Sequence, residues 1–373
     1  MRAMILAAGK GTRVRPITER MPKPMIPLFG RPILEYLIGV LKSAGVDAIM
    51  SNLFHLGQKI EAYFGDGHRF GVDMLYSYEN ELLGSGGGLK RVESFFQEGT
   101  FLVLCGDALI DLDLKAALDF HKQKASIATL ILKHTDTPES YGIVETNADG
   151  KIVSFQEKPK AEEARTDLAN TGIYILEPEV LKLIPERTRW DLGGDLFPLL
   201  VEKDAPFFGF AADFSWLDLG TVKDYHQAHM SCLQGSVAGV KPTGNEIAPG
   251  IFTGTHCKIA ESAILQGPIA MGHGVTIKAG AKLTGPVYLG PGCVVEEKAE
   301  VQESIVLPYS RLGADAVIRK AIVDRDCLID VRSGGHVIVD EEDGKILGDS
   351  RRPAKGGFSI KELLWQIENT TSA

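Results

Sequence analysis

Leu6-Ala7-Ala8-Gly9-Lys10-Gly11-Thr12-Arg13, running on to Pro22-Lys23-Pro24, ends an apolar run that begins at Ala3. The run reads as a buried strand, and the two glycines break it. A strand that stops in a Gly-rich turn lets backbone N–H groups approach an anion, and nearby side-chain cations add charge that the backbone lacks. Between Gly9 and Pro24 five cations (Lys10, Arg13, Arg15, Arg20 and Lys23) stand against one acid, Glu19. That pattern is a phosphate cradle. It is neither of two common phosphate loops: a dinucleotide fingerprint needs a glycine where Val14 stands, and a P-loop needs Lys-Ser or Lys-Thr after its second glycine. Pro22-Lys23-Pro24 suits neither a helix interior nor a central strand, which places Lys23 on a stiff, extended segment.

The chain of 373 residues exceeds one typical core. With 40 basic and 49 acidic residues its formal charge is −9, which argues against a nucleic-acid or membrane-surface partner. The cysteines (Cys105, Cys232, Cys257, Cys293 and Cys327) form no C-x-x-C pair, which suits a reducing compartment and gives no zinc site. The N-terminus carries no signal-peptide pattern and no apolar stretch reaches membrane-spanning length, so a cytoplasmic protein is expected.

After the loop, Pro32 opens a helix with apolar Ile33, Leu34, Leu37, Ile38 and Leu41 on one face, and Gly45 closes it. A strand (Ala48 to Asn52), a helix (Leu56 to Phe64) and a strand (Val72 to Ser77) follow. Such alternation predicts a parallel sheet covered on both faces, with ligands at the carboxyl ends of its strands, where Gly9 falls. Leu83-Gly84-Ser85-Gly86-Gly87-Gly88-Leu89 precedes an expected helix from Lys90 to Phe96. Four glycines in five residues argue against packing, and taken alone they read as a flexible hinge. Phe101 to Cys105 is an apolar strand delivering Gly106-Asp107, while Asp111 and Asp113 are placed to cap the helix from Leu114 to Lys124. Tyr141 to Glu145 and Ile152 to Phe155, around Asp149-Gly150, read as a hairpin leading into Glu157-Lys158-Pro159, with Asn170-Thr171-Gly172-Ile173-Tyr174 beyond. Trp216-Leu217-Asp218-Leu219-Gly220-Thr221 is a last strand and turn before a helix from Val222 to Cys232.

From Ile259 an apolar residue recurs every sixth position: Leu265, Met271, Ile277, Leu283, Leu289, Val295, Val301 and Leu307. A second register, from Cys257 to Ile305, is small or apolar throughout. Period six with interspersed glycines is the signature of a hexapeptide-repeat parallel β-helix. The expected organisation is a catalytic domain over 1–234, a linker over 235–250, the β-helix over 251–330 and a tail over 331–373. The tail carries a hairpin around Asp343-Gly344 and an amphipathic helix from Ser359. His256 and His273 between coils admit an acyltransferase reading, although histidines in turns are more often solvated.

The set Ala8-Gly9-Lys10-Gly11-Thr12-Arg13, Pro16, Thr18, Pro22-Lys23-Pro24, strand-Gly-Asp107, Tyr141-Gly142, Glu157-Lys158-Pro159 and Asn170 to Tyr174 resembles the sugar-1-phosphate nucleotidylyltransferases, and the resemblance extends to about residue 330. It implies an α/β fold, a Rossmann-like, mostly parallel nucleotidyltransferase sheet followed by a left-handed β-helix. It implies that Leu6, Ala8, Gly9, Gly11 and Thr12 hold the nucleotide, that Gly84 and Gly87 meet the base, and that Arg13 and Lys23 neutralise departing pyrophosphate. Gly142, Glu157, Lys158 and Asn170 would bind the sugar phosphate, with Asp107 and Asp218 bracketing one Mg²⁺, a hard cation that takes one or two carboxylates plus phosphate oxygens and water. The expected reaction is NTP plus sugar 1-phosphate giving nucleotide sugar and pyrophosphate. UTP with glucose 1-phosphate comes first, from Gly106 to Asp111 and Gly193 to Pro198, and GDP-mannose formation from mannose 1-phosphate is the alternative. A non-catalytic, nucleotide-sugar-binding paralogue is a further alternative. A homo-oligomer assembled through the β-helix is expected.

Overall fold

The computed structural model describes residues 1–338 and 347–351. Its chain falls into two compact units. The first comprises Met1–Gly11, Met21–Ile26 and Ile33–Trp216, and the second comprises Thr12–Arg20, Pro27–Pro32 and the chain from Leu217 onward. Two short stretches beside the Gly-rich turn therefore belong to the second unit, far from it in sequence.

The first unit is built on a nine-stranded sheet whose main path runs Ile152–Glu157, Gly142–Thr146, Leu168–Leu176, Phe101–Cys105, Arg2–Leu6, Ala48–Leu53, Asp73–Tyr78. Arg2–Leu6 pairs in parallel with both neighbours, and Ala48–Leu53 pairs in parallel with Asp73–Tyr78. The sheet is mixed rather than wholly parallel, because Leu168–Leu176 runs antiparallel to Phe101–Cys105 and to Ala128–His134. Both faces are covered, as a strand apolar at every position requires. Ala3 and Ile5 pack with Leu34, Leu37, Ile38 and Leu41 of the helix Ile33–Ser43 on one side, while Met4 packs with Leu89, Phe96 and Val103 on the other. The short loops after Leu6 and Cys105 thus emerge together at one sheet end.

Local departures from expectation have local causes. Lys23–Met25 is one 3-10 turn rather than an extended segment; Pro24 is tolerated there because an N–H in a first turn has no intrahelical partner. Asp113 caps the helix Leu114–Gln123, but Asp111 takes no part in the cap, and its Oδ1 accepts from Ser215 N at 2.6 Å instead. The expected helix from Lys90 to Phe96 lies earlier, at Gly84–Arg91, and only a 3-10 turn, Glu93–Phe96, follows it.

In the second unit Ile251 stands beside Ile269 and Ile269 beside Val287, eighteen residues on each time, so three hexads make one coil of a parallel β-helix. Gly254, Gly272 and Gly290 stack at one corner. A Cβ at Gly272 would lie 2.5 Å from the Pro291 nitrogen, so a side chain there would part the coils. The first strand, Asn245–Ala248, already lies within the stretch expected as linker. The hexad rhythm also ends early. Thr284 pairs with Gln302 but Val287 with Ser304, because Gly285-Pro286 is matched by Glu303 alone. The shorter turn shifts the frame by one residue: Ser304 and Val306 take the interior places that period six assigns to Ile305 and Leu307. Ile305 turns outward beside Tyr288, and there it is buried.

That outer face is covered by the helix Val222–Leu233, capped by Thr221. His229 is fully buried among the rings of Phe29, Tyr225 and Tyr288, and neither ring nitrogen has a hydrogen-bond partner. His226 Nε2 donates to the Glu303 carbonyl at 2.6 Å. The β-helix closes with Cys327–Asp330 running antiparallel to Ala321–Asp324. His336–Ile338 and Leu347–Asp349, the strands flanking the expected tail hairpin, pair with different partners and not with each other. The Asp343-Gly344 turn and the helix from Ser359 lie outside the described residues. No helix among the described residues is long and apolar enough to cross a membrane.

Burial, with His226 adding to it, pushes the His229 imidazole down from 6.5 to about 3. The unfolded chain takes up this proton as pH falls through 6.5 and the folded chain does not, so stability is lost below that pH and is unaffected by this group above it. His229→Phe is expected to match the wild type at pH 7.5 and to exceed it by about 2 kcal/mol at pH 5. Urea unfolding at both pH values checks this; an equal difference at the two would contradict it.

Candidate active site

The Gly-rich turn is fixed from beneath. Asn52, buried at the end of its strand, accepts from Ala7 N through Oδ1 at 2.9 Å and donates from Nδ2 to Glu79 Oε1 at 2.7 Å. Glu79 Oε2 accepts from Leu83 N at 3.0 Å. A Cβ at Gly88 would stand 2.7 Å from Glu79 Oε1 and 2.9 Å from Asn52 Nδ2, so only glycine lets the helix Gly84–Arg91 rest on this pair. Beyond the pair, Gly9 is exposed with open space around it, and Gly11 has φ +62, a conformation that favours glycine. Leu6 and Ala8 lie at the strand end beneath the turn.

Gly106 is pressed between Leu6 and Pro24 and donates its N–H to the Leu6 carbonyl at 3.0 Å. The next residue, Asp107, accepts from Lys23 Nζ at 2.6 Å. Lys23 is almost wholly buried, and a buried ammonium requires such a partner. The structure therefore brings a proposed pyrophosphate-binding cation and a proposed metal-binding carboxylate into direct contact. Among the five loop cations, Arg20 is committed elsewhere in the second unit, to Asp324 at 3.4 Å and Asp326 at 3.2 Å. Lys10 lies over the Phe54 ring. Arg13 and Asp218, with Thr12, belong to the second unit. A Cβ at Gly220 would lie 3.5 Å from Arg13 Nη1 and 3.3 Å from Asp218 Oδ2, so a side chain there would crowd both.

The glycine segment is packed, contrary to the expectation of a hinge or an open ligand surface. Gly86 N and Gly87 N both donate to the Trp190 carbonyl, at 2.8 and 2.9 Å, and Gly86, Gly87 and Gly88 are buried. A Cβ at Gly84 would stand 2.5 Å from the same oxygen. The amides of Gly86 and Gly87 are thus taken, which leaves these glycines to provide room rather than hydrogen bonds.

On the other side, Glu157 enters between Gly142 and Gly193; a Cβ on either would come within 3.0 Å of Oε2. Burial raises the Glu157 carboxyl, Lys158 opposes it and Asp191 adds to it. Lys158 has φ +46, its N–H bonds to the Tyr141 carbonyl, and its side chain is exposed with Nζ 4.0 Å from Glu157 Oε1. Pairing between Leu168–Leu176 and Ala128–His134 slips between Asn170 and Tyr174, an irregularity of the kind that re-aims side chains at sites. Asn170 Oδ1 accepts from Gly172 N and Nδ2 donates to Tyr174 Oη, at 3.1 and 3.2 Å. The Tyr174 phenol is pushed far up by burial, with Cys105, Glu157 and Asp107 adding their fields.

Asn52, Glu79, Ser85, Asp191 and Tyr174 were missed by sequence reasoning as site residues. The available signal was a polar residue at the carboxyl end of an apolar strand, which Asn52 shows and Asp107 shares. No group of three or more His, Cys, Asp or Glu side chains able to hold a metal is found among the described residues. A cation held here would need ligands from substrate.

Comparison with known proteins fits this geometry. Residues 2–235 match the family model described as "Nucleotidyl transferase", and residues 265–342 match "GMPPB C-terminal domain". The chain is 47% identical over 343 residues to a UTP–glucose-1-phosphate uridylyltransferase of Synechocystis sp., covering 88% of each chain. It is 32% identical over 281 residues to a mannose-1-phosphate guanylyltransferase of Mycobacterium tuberculosis, covering 75% of this chain and 77% of that one. The solved structure of HddC from Yersinia pseudotuberculosis superposes with a TM-score of 0.54 at 26% identity, over 61% of this chain and 97% of that one. The chain is a member of the nucleotidyl transferase family, an enzyme of the sugar-1-phosphate nucleotidyltransferase class.

Proposed function

We propose that this protein joins UTP and glucose 1-phosphate into UDP-glucose and releases pyrophosphate. The observation that carries the reading is the 47% identity, spread over 88% of both chains, with a relative named for that reaction. An oxygen of the sugar phosphate attacks the α-phosphorus in line; that P–O bond forms as the bond to the β-phosphate oxygen breaks, and pyrophosphate leaves with the electron pair. Such chemistry needs positioning and charge neutralisation rather than a protein nucleophile. Gly9, Gly11 and Thr12 hold the triphosphate, with the segment Gly84 to Gly87 as the candidate for contact with the base. Arg13 and Lys23 balance charge on the leaving group. Lys158 holds the sugar phosphate, while Glu157 and Asn170 take hydroxyls.

Asp107 and Asp218 are the residues that would hold a divalent cation, which we take to be Mg²⁺. Two carboxylates suit a hard ion that draws its other ligands from phosphate and water, where it supplies charge stabilisation to the phosphoryl oxygens. Lys23 compensates Asp107 in the structure as it stands, so binding of substrate draws the ammonium toward phosphate. Support for self-association through the β-helix is the outward row Ile264, Lys282, Glu300, Val317, whose two apolar members are exposed. Five free thiols and the lack of a long apolar helix among the described residues fit a cytoplasmic enzyme.

The test of the reaction is pyrophosphate release from four NTPs against glucose, mannose and other sugar 1-phosphates. UTP with glucose 1-phosphate should give the highest kcat/KM; a preference for GTP with mannose 1-phosphate would support the other named relative, and no turnover with any pair would end the reading. Asp107→Asn and Asp218→Asn should each lower turnover by on the order of 100-fold, because an amide binds Mg²⁺ poorly, and Asp107→Asn should also lower the melting temperature, because it leaves the buried Lys23 ammonium without its carboxylate. Near-normal rates in both at low Mg²⁺ would remove them as ligands. Lys158→Ala should mainly raise KM for the sugar phosphate, whereas Lys23→Ala should mainly lower kcat. Identical kinetic defects in the two would erase the division of labour.

A further inference from the structure

Two segments a hundred residues apart are laced together within the first unit. Trp190 N donates to the Leu83 carbonyl at 2.9 Å and the Trp190 carbonyl accepts from Gly86 N and Gly87 N. Ser85 completes the contact: its N and Oγ both donate to Asp191 Oδ1, at 3.1 and 3.2 Å, and its Oγ accepts from Leu192 N at 2.8 Å.

Asp191 heads the turn Leu192–Leu196, where an Asp ordinarily caps the free N–H groups, yet its side chain makes no cap bond. Its own N–H is covered by Asp195 Oδ2 at 2.7 Å, which leaves the Asp191 carboxylate committed to Ser85. Hydrogen bonds to an ionised acceptor are the stronger kind. The same turn carries Gly193, against which Glu157 rests, and the Asp191 charge acts on Glu157. One carboxylate thus touches the glycine segment and faces the sugar-hydroxyl acid.

We propose that Ser85 and Asp191 form a clasp that fixes Gly84–Gly87 against the turn bearing Gly193, making Asp191 a positioning residue for nucleotide and sugar phosphate together. The clasp rests on the assignment of these segments to the two substrates given above. Neither residue touches the reacting atoms. A clasp shared by two ligand segments transmits its loss to both, and its two halves are not independent.

The experiment uses the full chain as wild type, Ser85→Ala, Asp191→Ala, the double variant and Asp191→Asn, with initial rates in UTP and glucose 1-phosphate and calorimetric binding of UDP-glucose. Each alanine variant should raise both KM values by on the order of tenfold while kcat stays within about threefold. The double variant should be no worse than Asp191→Ala within about twofold. Asp191→Asn should move the acid limb of kcat/KM for glucose 1-phosphate to lower pH, because Asp191 and Lys158 are the charges facing Glu157 and the like one has gone. A purely structural role would leave that limb in place. Additive losses in the double variant, a KM effect confined to one substrate, or an unmoved acid limb would overturn the clasp. Should Asp191→Ala fail to fold, Ser85→Ala and Asp191→Asn carry the same comparison. If the wild type turned over no UTP and glucose 1-phosphate while UDP-glucose binding still showed the non-additive pattern, the proposed reaction would fall and the clasp would stand.

Discussion

The first unit depends on a buried carboxamide. Asn52 ties the Ala7 amide, at the last turn of the central strand, to the Glu79 carboxylate, and Glu79 in turn ties Leu83. Three backbone segments that end at the same edge of the sheet are thereby referred to one side chain. Ala7, Asn52 and Glu79 are shielded from water, where an unmade hydrogen bond costs about 1–3 kcal/mol and an unpaired charge more. The network therefore has one low-energy arrangement, and the loop that leaves Ala8 starts from a defined direction.

Glycine then works in two opposite ways on this frame. At Gly9 a Cβ would meet open space, while at Gly84 to Gly88 glycine lets protein fill the space, with the Trp190 carbonyl and the Asn52–Glu79 pair standing where Cβ atoms would be. Gly142 and Gly193 do the same for the Glu157 carboxylate. The shape of the site is set as much by missing side chains as by present ones.

Charge follows the same logic. The loop presents a surplus of cations, but folding gives them different environments: Lys23 meets Asp107, Arg20 meets Asp324 and Asp326, and Lys10 lies over the Phe54 ring. A cluster that reads in sequence as one phosphate patch thus includes charges already paired within the protein. Within the second unit, Thr12–Arg20 packs with chain some three hundred residues later.

The sequence by itself determined the elements with strong periodicity or strict residue demands. The apolar strand from Ala3 to Ala8, the helix Ile33–Ser43 and the six-residue rhythm up to Val301 follow from burial patterns that no other element satisfies. The strand-end Gly106-Asp107 and the Glu157-Lys158 pair were legible as candidates through the resemblance to the sugar-1-phosphate nucleotidylyltransferases, since taken alone each has an ordinary structural reading. Tertiary structure alone decided what depends on spatial neighbours. Gly84–Arg91 is helical because a strap from Trp190 to Leu192 supplies its partners, Ile305 leaves the β-helix interior because a turn there is one residue shorter, and Arg20 is withdrawn from the phosphate loop by acids more than three hundred positions away. Periodicity is local and survives in one dimension, whereas hydrogen-bond partners and steric room are pairwise properties that exist only once the chain has folded.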